Sequence, residues 1–132
     1  MNLEQIEQRG IALYNAEDTY CVPMAEWILM RVLELYKRGP LLCRNQWANR
    51  WEKLRQLPEL AGKRVLILGT GYVGRAAAKR FEAFEADVAG INRSGHSLPE
   101  FSRVFPAECL DERLSETDIL VLALPLTGET RG

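Results

Sequence analysis

The sequence has few of the residues that catalysis and metal binding most often use. It contains one histidine, His96, and three cysteines, Cys21, Cys43 and Cys109, among 132 residues. An odd number of widely spaced cysteines is not a disulfide framework, and no CxxC pair suggests zinc. We therefore expect reduced thiols, a cytoplasmic location and no metal site.

Long apolar runs and an excess of positive charge are also missing. No apolar stretch is long enough to span a bilayer, and residues 1–10 are too polar for a secretory signal. The formal net charge is -1, whereas nucleic acids and acidic membranes attract basic proteins. The basic segment 44–53, which includes two tryptophans, is interpreted as a solvated helical face with aromatic anchors. The sequence thus predicts neither a nucleic-acid nor a membrane partner.

The chain is 47% hydrophobic, which is enough for one core. Its first 58 residues are predicted to be mostly helical. They predict a short strand at 10–15, a long helix from Val22 to Arg38 and a less regular helical arm from Leu41 to Leu57. Pro23 suits a first helical turn, and Gly39-Pro40 is interpreted as a stop signal. Because the long helix is apolar around much of its circumference, we expect it between two layers or two subunits.

After a connector at 58–62, strands and helices alternate. The strands are predicted at 65–68, 87–91, 104–105 and 119–124, and the helices at 72–84 and 109–114. The continuous apolar run of the first strand suits a strand buried on both faces of a parallel sheet, and the last strand is another continuous apolar run. The alternation predicts βαβ units, and therefore an α/β protein with a parallel sheet of about four strands.

The first of these strands runs into a G-x-G-x-x-G motif formed by Gly69, Gly71 and Gly74. The motif lies between a strand and a helix, where the first glycine permits a tight turn and the second lets the backbone approach a pyrophosphate. The third lets the helix pack closely on the strand. N–H groups near Tyr72 and Val73 would point at the anion. We interpret the motif as a Rossmann-type dinucleotide loop; the alternative is a glycine turn without a ligand.

The second strand ends in Asn92, Arg93 and Ser94, where NAD sites usually have an acidic residue for the ribose hydroxyls. Arg93 can hold a 2′-phosphate by charge-assisted hydrogen bonds, and Ser94 adds a donor. We therefore predict that NADP is preferred over NAD. The alternative is that Asn92 alone serves the ribose and Arg93 is solvated. His96, in the same loop, is interpreted as solvated.

Three segments are informative as a set: residues 10–15 with Ala25-Glu26, residues 59–63 before the glycine loop, and residues 117–127 followed by 129–132. Together they resemble the D-isomer-specific 2-hydroxyacid dehydrogenases, the group that includes phosphoglycerate, glyoxylate and hydroxypyruvate reductases. The order and spacing of the segments match the family over nearly the whole chain. The stretch after the second strand is similar to that of the NADPH-using reductases.

The resemblance implies a cofactor site and a division of the chain. The site would include the glycine loop, Asn92 to Ser94, and Leu124, Pro125 and Thr130 at and after the end of the fourth strand. Residues 1–58 would be a hinge segment, a long helix and a subunit-contact arm. Residues 59–132 would be the first half of the dinucleotide-binding domain. The family commonly has glycine where this chain has Glu85, at the end of a helix.

The family's catalytic arginine, carboxylate and histidine have no counterpart in these residues. We therefore expect no catalytic residue here, and a fragment of an NAD(P)-dependent oxidoreductase that does not catalyse by itself. The alternatives are a non-catalytic dinucleotide-binding or oligomerisation module and an inert truncated remnant. One edge of the strand at 119–124 would be unpaired, which predicts a homo-oligomer through that edge or through the helix from Val22.

Overall fold

The computed structural model describes residues 3–14, 16, 18–128 and 130–131. In chain order its elements are α1 (Leu3–Gln8), α2 (Cys21–Tyr36), α3 (Gly39–Trp47), β1 (Arg64–Leu68), α4 (Tyr72–Glu82), β2 (Asp87–Asn92), β3 (Arg103–Pro106), a 3-10 turn (Ala107–Cys109), α5 (Leu110–Leu114) and β4 (Ile119–Leu122).

The four strands form one sheet in the order β3-β2-β1-β4, and all neighbouring strands are parallel. Val65 of β1 lies level with Val88 of β2 on one side and Ile119 of β4 on the other. The predicted α/β fold with a four-stranded parallel sheet is therefore confirmed. The strand order reverses between β1 and β4, and in such sheets ligands bind at this point, beyond the carboxyl ends of the strands.

The main core lies between the sheet and the helices α4 and α2. Phe81 of α4 and Ile67 of β1 are fully buried in it, and burying a side chain of this size stabilises a fold by about 1.5–3 kcal/mol. Ala77 and Ala78 keep α4 close to the strands, and Ala25 brings α2 into the same cluster. The rest of α2 is amphipathic: its inner side packs on this core, whereas Trp27 and Leu35 are exposed.

The opposite face of the sheet is covered less evenly. Leu66, Leu68 and Ile91 form a second buried cluster, on which Phe105 and Leu110 pack. Strand β4 alternates instead between buried and exposed side chains, and Leu120 and Leu122 are 45% and 69% exposed. In the described sheet one edge of β4 is unpaired, as expected, and the strand ends at Leu122, two residues earlier than predicted.

The predicted strand at 10–15 is wrong for the residues that the structure describes. Residues 11–14 have no regular structure and are exposed, while Asn15 lies outside the described residues. None of the four strands of the described sheet pairs with this apolar run. Helix α1 was not predicted, and it buries none of its residues.

The long helix and the arm differ from expectation at their ends. Helix α2 ends at Tyr36, and Arg38 reverses the chain with a left-handed φ of 52°. Gly39 and Pro40 begin α3 rather than end α2, because a proline in the first turn loses no intrahelical hydrogen bond. The arm is helical only to Trp47 and has no regular structure at 50–55.

Helix α4 ends at Glu82, two residues earlier than predicted, and Phe84 is exposed rather than on the buried face. Glu85 takes a left-handed φ of 61°. Its carbonyl oxygen accepts a hydrogen bond from the N–H of Gly62, 2.8 Å away, which ties this turn to the connector before β1. Across the described ranges, no helix has both the length and the apolarity needed to cross a membrane.

Candidate functional site

The glycine loop is packed tightly at both of its ends. Gly69 has a φ of 96°, and its N–H donates to the carbonyl oxygen of Ile91 at 2.9 Å. A Cβ on Gly69 would lie 2.5 Å from the carbonyl oxygen of Ala123, and a Cβ on Gly74 would overlap the carbonyl oxygen of Gly69. These two glycines therefore let β1, the end of β4 and the start of α4 meet at one point.

Gly71 differs from its two neighbours in the motif. A Cβ built on it would meet nothing within 4 Å, and its backbone is extended, with φ -74° and ψ -167°. The missing side chain leaves the outer surface of the loop open rather than relieving a clash. Gly71 is also the N-cap of α4, and no side chain of a described residue caps this helix. The first N–H groups of a helix have no acceptor within the helix, so such an end favours an anion.

The turn that follows β2 is organised by the carboxamide of Asn92. Its Oδ1 accepts hydrogen bonds from the N–H groups of Ser94 at 3.1 Å and Gly95 at 2.7 Å. Its Nδ2 donates to the carbonyl oxygen of His96 at 3.1 Å and to Oγ1 of Thr70 at 3.2 Å. The side chains of Arg93 and Ser94 are exposed on this turn, as is His96. Asn92 thus connects the turn to the glycine loop.

Two residues at this junction were not predicted as part of the site. Thr70 lies inside the glycine motif, and Gly90 is its neighbour on β2. A Cβ on Gly90 would lie 2.7 Å from Cγ2 of Thr70 and 2.9 Å from Cδ1 of Phe101. The sequence does carry a signal for this contact, because a glycine inside a strand often marks a close approach of another part of the chain.

A cleft of about 720 Å³ opens beside the glycine loop at the end of β4. Met24, Trp27 and Ile28 of α2 form one wall of the cleft. The remaining lining residues come from the start of α4 and the end of β4: Gly71, Tyr72, Val73, Leu122, Ala123, Leu124 and Pro125. The structure thus brings the predicted residues Leu124 and Pro125 together with the glycine loop, and α2 adds an apolar wall that was not predicted.

Thr130 has a local role in the structure. Its Oγ1 donates to the carbonyl oxygen of Pro125 at 2.6 Å and accepts from the N–H of Thr127 at 2.8 Å. These bonds close the turn after β4 and hold Pro125 at the edge of the cleft. In the described part of the chain, no group of three or more His, Cys, Asp or Glu side chains is placed to hold a metal.

An ion pair fixes the first turn of α4 against the segment before β3. Glu100 is 8% exposed, and its Oε1 accepts from Nη2 of Arg75 at 2.7 Å and from Nε at 3.0 Å. Lys79 lies 3.8 Å from the same oxygen. The hydrogen bonds from Arg75 hold the pKa of Glu100 below its usual value, and burial acts in the opposite direction. The guanidinium of Arg75 is therefore already bound to a carboxylate.

A similar pair joins the starts of β1 and β4 at the other end of the sheet. Asp118 accepts from the backbone N–H of Arg64 at 2.9 Å and from its guanidinium at 3.2 Å. These bonds, the side-chain bond first, hold the pKa of Asp118 below its usual value. This end lies away from the glycine loop, so the pair serves the sheet rather than the candidate site.

Residues 29–132 match the family model described as "D-isomer specific 2-hydroxyacid dehydrogenase, NAD binding domain". Among curated proteins, the chain is 29% identical over 134 aligned positions to hydroxyphenylpyruvate reductase of Plectranthus scutellarioides, with 98% of this chain and 41% of that protein covered. The chain spans about two fifths of the length of the curated relatives it matches.

Solved structures show the same likeness. A D-isomer-specific 2-hydroxyacid dehydrogenase family protein from Aeromonas salmonicida subsp. salmonicida superposes with a TM-score of 0.78 at 30% identity, covering 89% of this chain and 37% of that chain. An NADPH-dependent glyoxylate/hydroxypyruvate reductase from Sinorhizobium meliloti, in complex with NADP and sulfate, gives a TM-score of 0.74 at 32% identity. This superposition covers 91% of the present chain and 37% of the reductase chain.

Proposed function

The chain belongs to the D-isomer-specific 2-hydroxyacid dehydrogenase family, whose NAD-binding domain model matches residues 29–132, and from this we propose which residues hold the cofactor. Gly69, Gly71 and Gly74, with the N–H groups at Tyr72 and Val73, bind the pyrophosphate. Arg93 and Ser94 hold the adenosine end. Leu124 and Pro125 lie along the other end of the cofactor, with Thr130 supporting their turn.

The observation that carries the proposal is the geometry around Gly71. Gly69 and Gly74 are needed to pack the loop, but Gly71 has open space where its Cβ would lie. It caps the start of α4, beyond the carboxyl ends of the parallel strands and at the point where the strand order reverses. Backbone without side chains, a helix N-terminus and a switch point together form the arrangement that binds a pyrophosphate.

We further propose that NADP is preferred over NAD. No carboxylate ends β2, so the usual acceptor for two ribose hydroxyls is absent from that position. Arg93 and Ser94 are exposed on the turn beside the glycine loop and offer a cation and a hydroxyl donor. A guanidinium matches a phosphate in charge and geometry, and a 2′-phosphate is the group that distinguishes NADP from NAD.

Calorimetric titration of the chain with NADPH and with NADH tests both proposals. We expect binding of both with a preference for NADPH, and we expect Arg93→Ala to weaken NADPH binding about ten- to a hundredfold while NADH binding changes little. Arg103→Ala, a change to a cation at the start of β3, is the matched control. Equal affinity for both cofactors, unaffected by Arg93→Ala, would contradict the phosphate clamp. Binding of neither would leave the inert remnant as the better account.

For a protein that contains this domain, we propose hydride transfer between the nicotinamide cofactor and a 2-keto or 2-hydroxy acid. The support is the family match and the likeness to reductases of glyoxylate, hydroxypyruvate and hydroxyphenylpyruvate. We assign no catalytic residue within this chain. The division at residue 58 and the cytoplasmic location stay predictions from the sequence.

We also propose that the chain forms a homo-oligomer. In the described sheet β4 is an edge strand, paired only with β1, and Leu120 and Leu122 are exposed on one of its faces. Unpaired backbone next to exposed leucine favours association with another chain. A second exposed surface lies on the arm, where Trp47 and Trp51 are 81% and 93% exposed.

A further inference from the structure

We propose that Asn92 does not contact the cofactor and instead positions the groups that do. This inference rests on the proposed function, because the groups it positions are Arg93 and Ser94 on one side and the glycine loop on the other. It replaces the expectation that Asn92 is itself a cofactor-binding residue, and the alternative in which Asn92 serves the ribose. It also identifies Thr70, which had no assigned role, as the residue through which the two halves of the site are connected.

The argument begins with the hydrogen-bonding capacity of a carboxamide. An asparagine side chain has two N–H donors and an oxygen with two lone pairs. In the structure Nδ2 donates to Thr70 and to the carbonyl oxygen of His96, and Oδ1 accepts from Ser94 and Gly95. All four positions are used within the protein. A ribose hydroxyl would therefore have to displace one of these bonds in order to bind Asn92.

These bonds determine the shape of the turn that carries the phosphate-binding side chains. Two backbone N–H groups and one carbonyl oxygen between Ser94 and His96 converge on the same side chain. Gly95 completes the turn with a φ of 69°, and a Cβ there would lie 2.9 Å from Cδ of Pro106. The turn is thus fixed from inside by Asn92 and from outside by β3, so the backbone of Arg93 and Ser94 is held in place before a ligand arrives.

The bond from Asn92 to Thr70 extends this fixation to the glycine loop. Thr70 lies between Gly69 and Gly71, and its methyl group fills the space that Gly90 leaves open. The pyrophosphate loop and the 2′-phosphate turn are therefore held at a fixed separation by one side-chain hydrogen bond. Preorganisation of this kind raises affinity by removing the cost of ordering two segments on binding.

Hydrogen exchange of the chain without cofactor tests the positioning role directly. In Asn92→Ala, the amides of Ser94 and Gly95 should exchange about fivefold faster or more, since each loses its acceptor. In Thr70→Val, which removes only the connecting hydroxyl, these two amides should keep their protection. Unchanged exchange at Ser94 and Gly95 in Asn92→Ala would overturn the proposal whether or not the chain binds a dinucleotide.

Titration with NADPH and NADH then measures whether the fixation matters for binding. Asn92→Ala should weaken NADPH binding about tenfold, and in an Arg93→Ala background the same change should have almost no further effect, because the clamp it positions is gone. Asn92→Asp keeps the oxygen acceptor and loses the two N–H donors. The amides of Ser94 and Gly95 should therefore stay protected from exchange, while NADPH binding should still be weakened.

The outcomes separate this inference from the proposed function. If the parent chain prefers NADPH and Arg93→Ala abolishes the preference, but Asn92→Ala weakens NADPH and NADH equally in both backgrounds, Asn92 is a direct ribose ligand. The proposal then fails while the proposed function stands. If the parent chain binds neither cofactor, the proposed function fails, and the exchange data alone decide whether Asn92 fixes the turn.

Discussion

Glu85 has a backbone conformation that its side chain makes unfavourable. Its φ of 61° lies in the left-handed region, which disfavours residues with a Cβ by about 1–2 kcal/mol. We expect Glu85→Gly to raise the free energy of unfolding by about 1 kcal/mol, measured by urea denaturation. Ala83→Gly, two residues earlier at a right-handed φ of -61°, should lower it. Two variants that shift stability in the same direction would contradict this account.

The glycines of the motif have different roles and should be separable by mutation. Gly74→Ala places a methyl group on the carbonyl oxygen of Gly69, so we expect it to lower the free energy of unfolding by about 1–3 kcal/mol or more. Gly71→Ala meets no atom within 4 Å and should fold normally, yet it should weaken dinucleotide binding because its methyl group covers the loop surface. Thermal melts with parallel titrations check both. Normal stability in Gly74→Ala would refute the packing argument.

For single residues, the sequence predicts those whose role depends on neighbours close in sequence. The motif glycines follow from their spacing between a strand and a helix, and Gly69 and Gly74 are closely packed there. The left-handed φ of Glu85 was indicated only by the resemblance to a family that commonly has glycine at this position. The roles of Thr70 and Gly90 were not predicted, because Thr70 depends on partners about twenty positions away in sequence. Asn92 was predicted to belong to the site, but its four bonds depend on the folded turn.

Among the elements, continuous apolar runs predicted strand positions well, but the run alone does not show whether a strand is central or at the edge. Val65 to Leu68 form a buried strand as expected, since strands lie on both sides of it and α4 packs on one face. The run from Ile119 to Leu124 has the same composition, but it lies at the edge of the sheet. Composition does not specify which strand lies at the edge; the unpaired edge of this strand was expected only from the resemblance to the family.

Helix ends were predicted least well because Gly-Pro has two meanings. The pair Gly39-Pro40 was interpreted as the end of a helix, but it forms the first turn of the next one. Proline suits both positions for different reasons: it lacks an N–H that a first turn does not need, and it cannot continue a helix that precedes it. What decides between them is the left-handed Arg38, which no local pattern indicated.

The ion pair between α4 and the segment before β3 should make stability depend on pH. Because the folded pKa of Glu100 is lowered, its contribution is complete above the unfolded value of about 4.3 and is lost as pH falls through the lower, folded value. We expect the stability difference between the parent chain and Glu100→Gln to be largest above about pH 5 and to shrink on acidification. Adding Asp118→Asn should flatten the profile further. If the stability of the parent chain and that of Glu100→Gln changed with pH in parallel, the pH dependence could not be assigned to Glu100.

For the whole molecule, the alternation of strands and helices was enough to predict the class and the parallel sheet. That alternation leaves few arrangements, because connections between parallel strands are right-handed and short. The sequence did not specify that α2 packs on α4. The broad apolar surface of α2 is consistent with either a second layer or a second subunit, and its inner side is used for the first of these.

Self-association is the property of the whole molecule that remains to be measured. We expect sedimentation to show a concentration-dependent oligomer, and we expect Leu122→Glu on the exposed face of edge strand β4 to shift it towards monomer. Leu35→Glu, at the exposed side of α2, is matched in exposure and tests the helix instead. A monomer at high concentration would refute oligomerisation, and loss of association only in Leu35→Glu would move the interface to α2.

The placement of the three tryptophans has a spectroscopic consequence. All three indoles are exposed, but only Trp27 lines the cleft beside the glycine loop, while Trp47 and Trp51 lie on the arm. Replacing the two arm residues with phenylalanine would leave one fluorophore, at the mouth of the cleft. Its emission would then report directly on whatever enters the cleft, so the protein carries an intrinsic fluorescent probe at the place where the cofactor is proposed to bind.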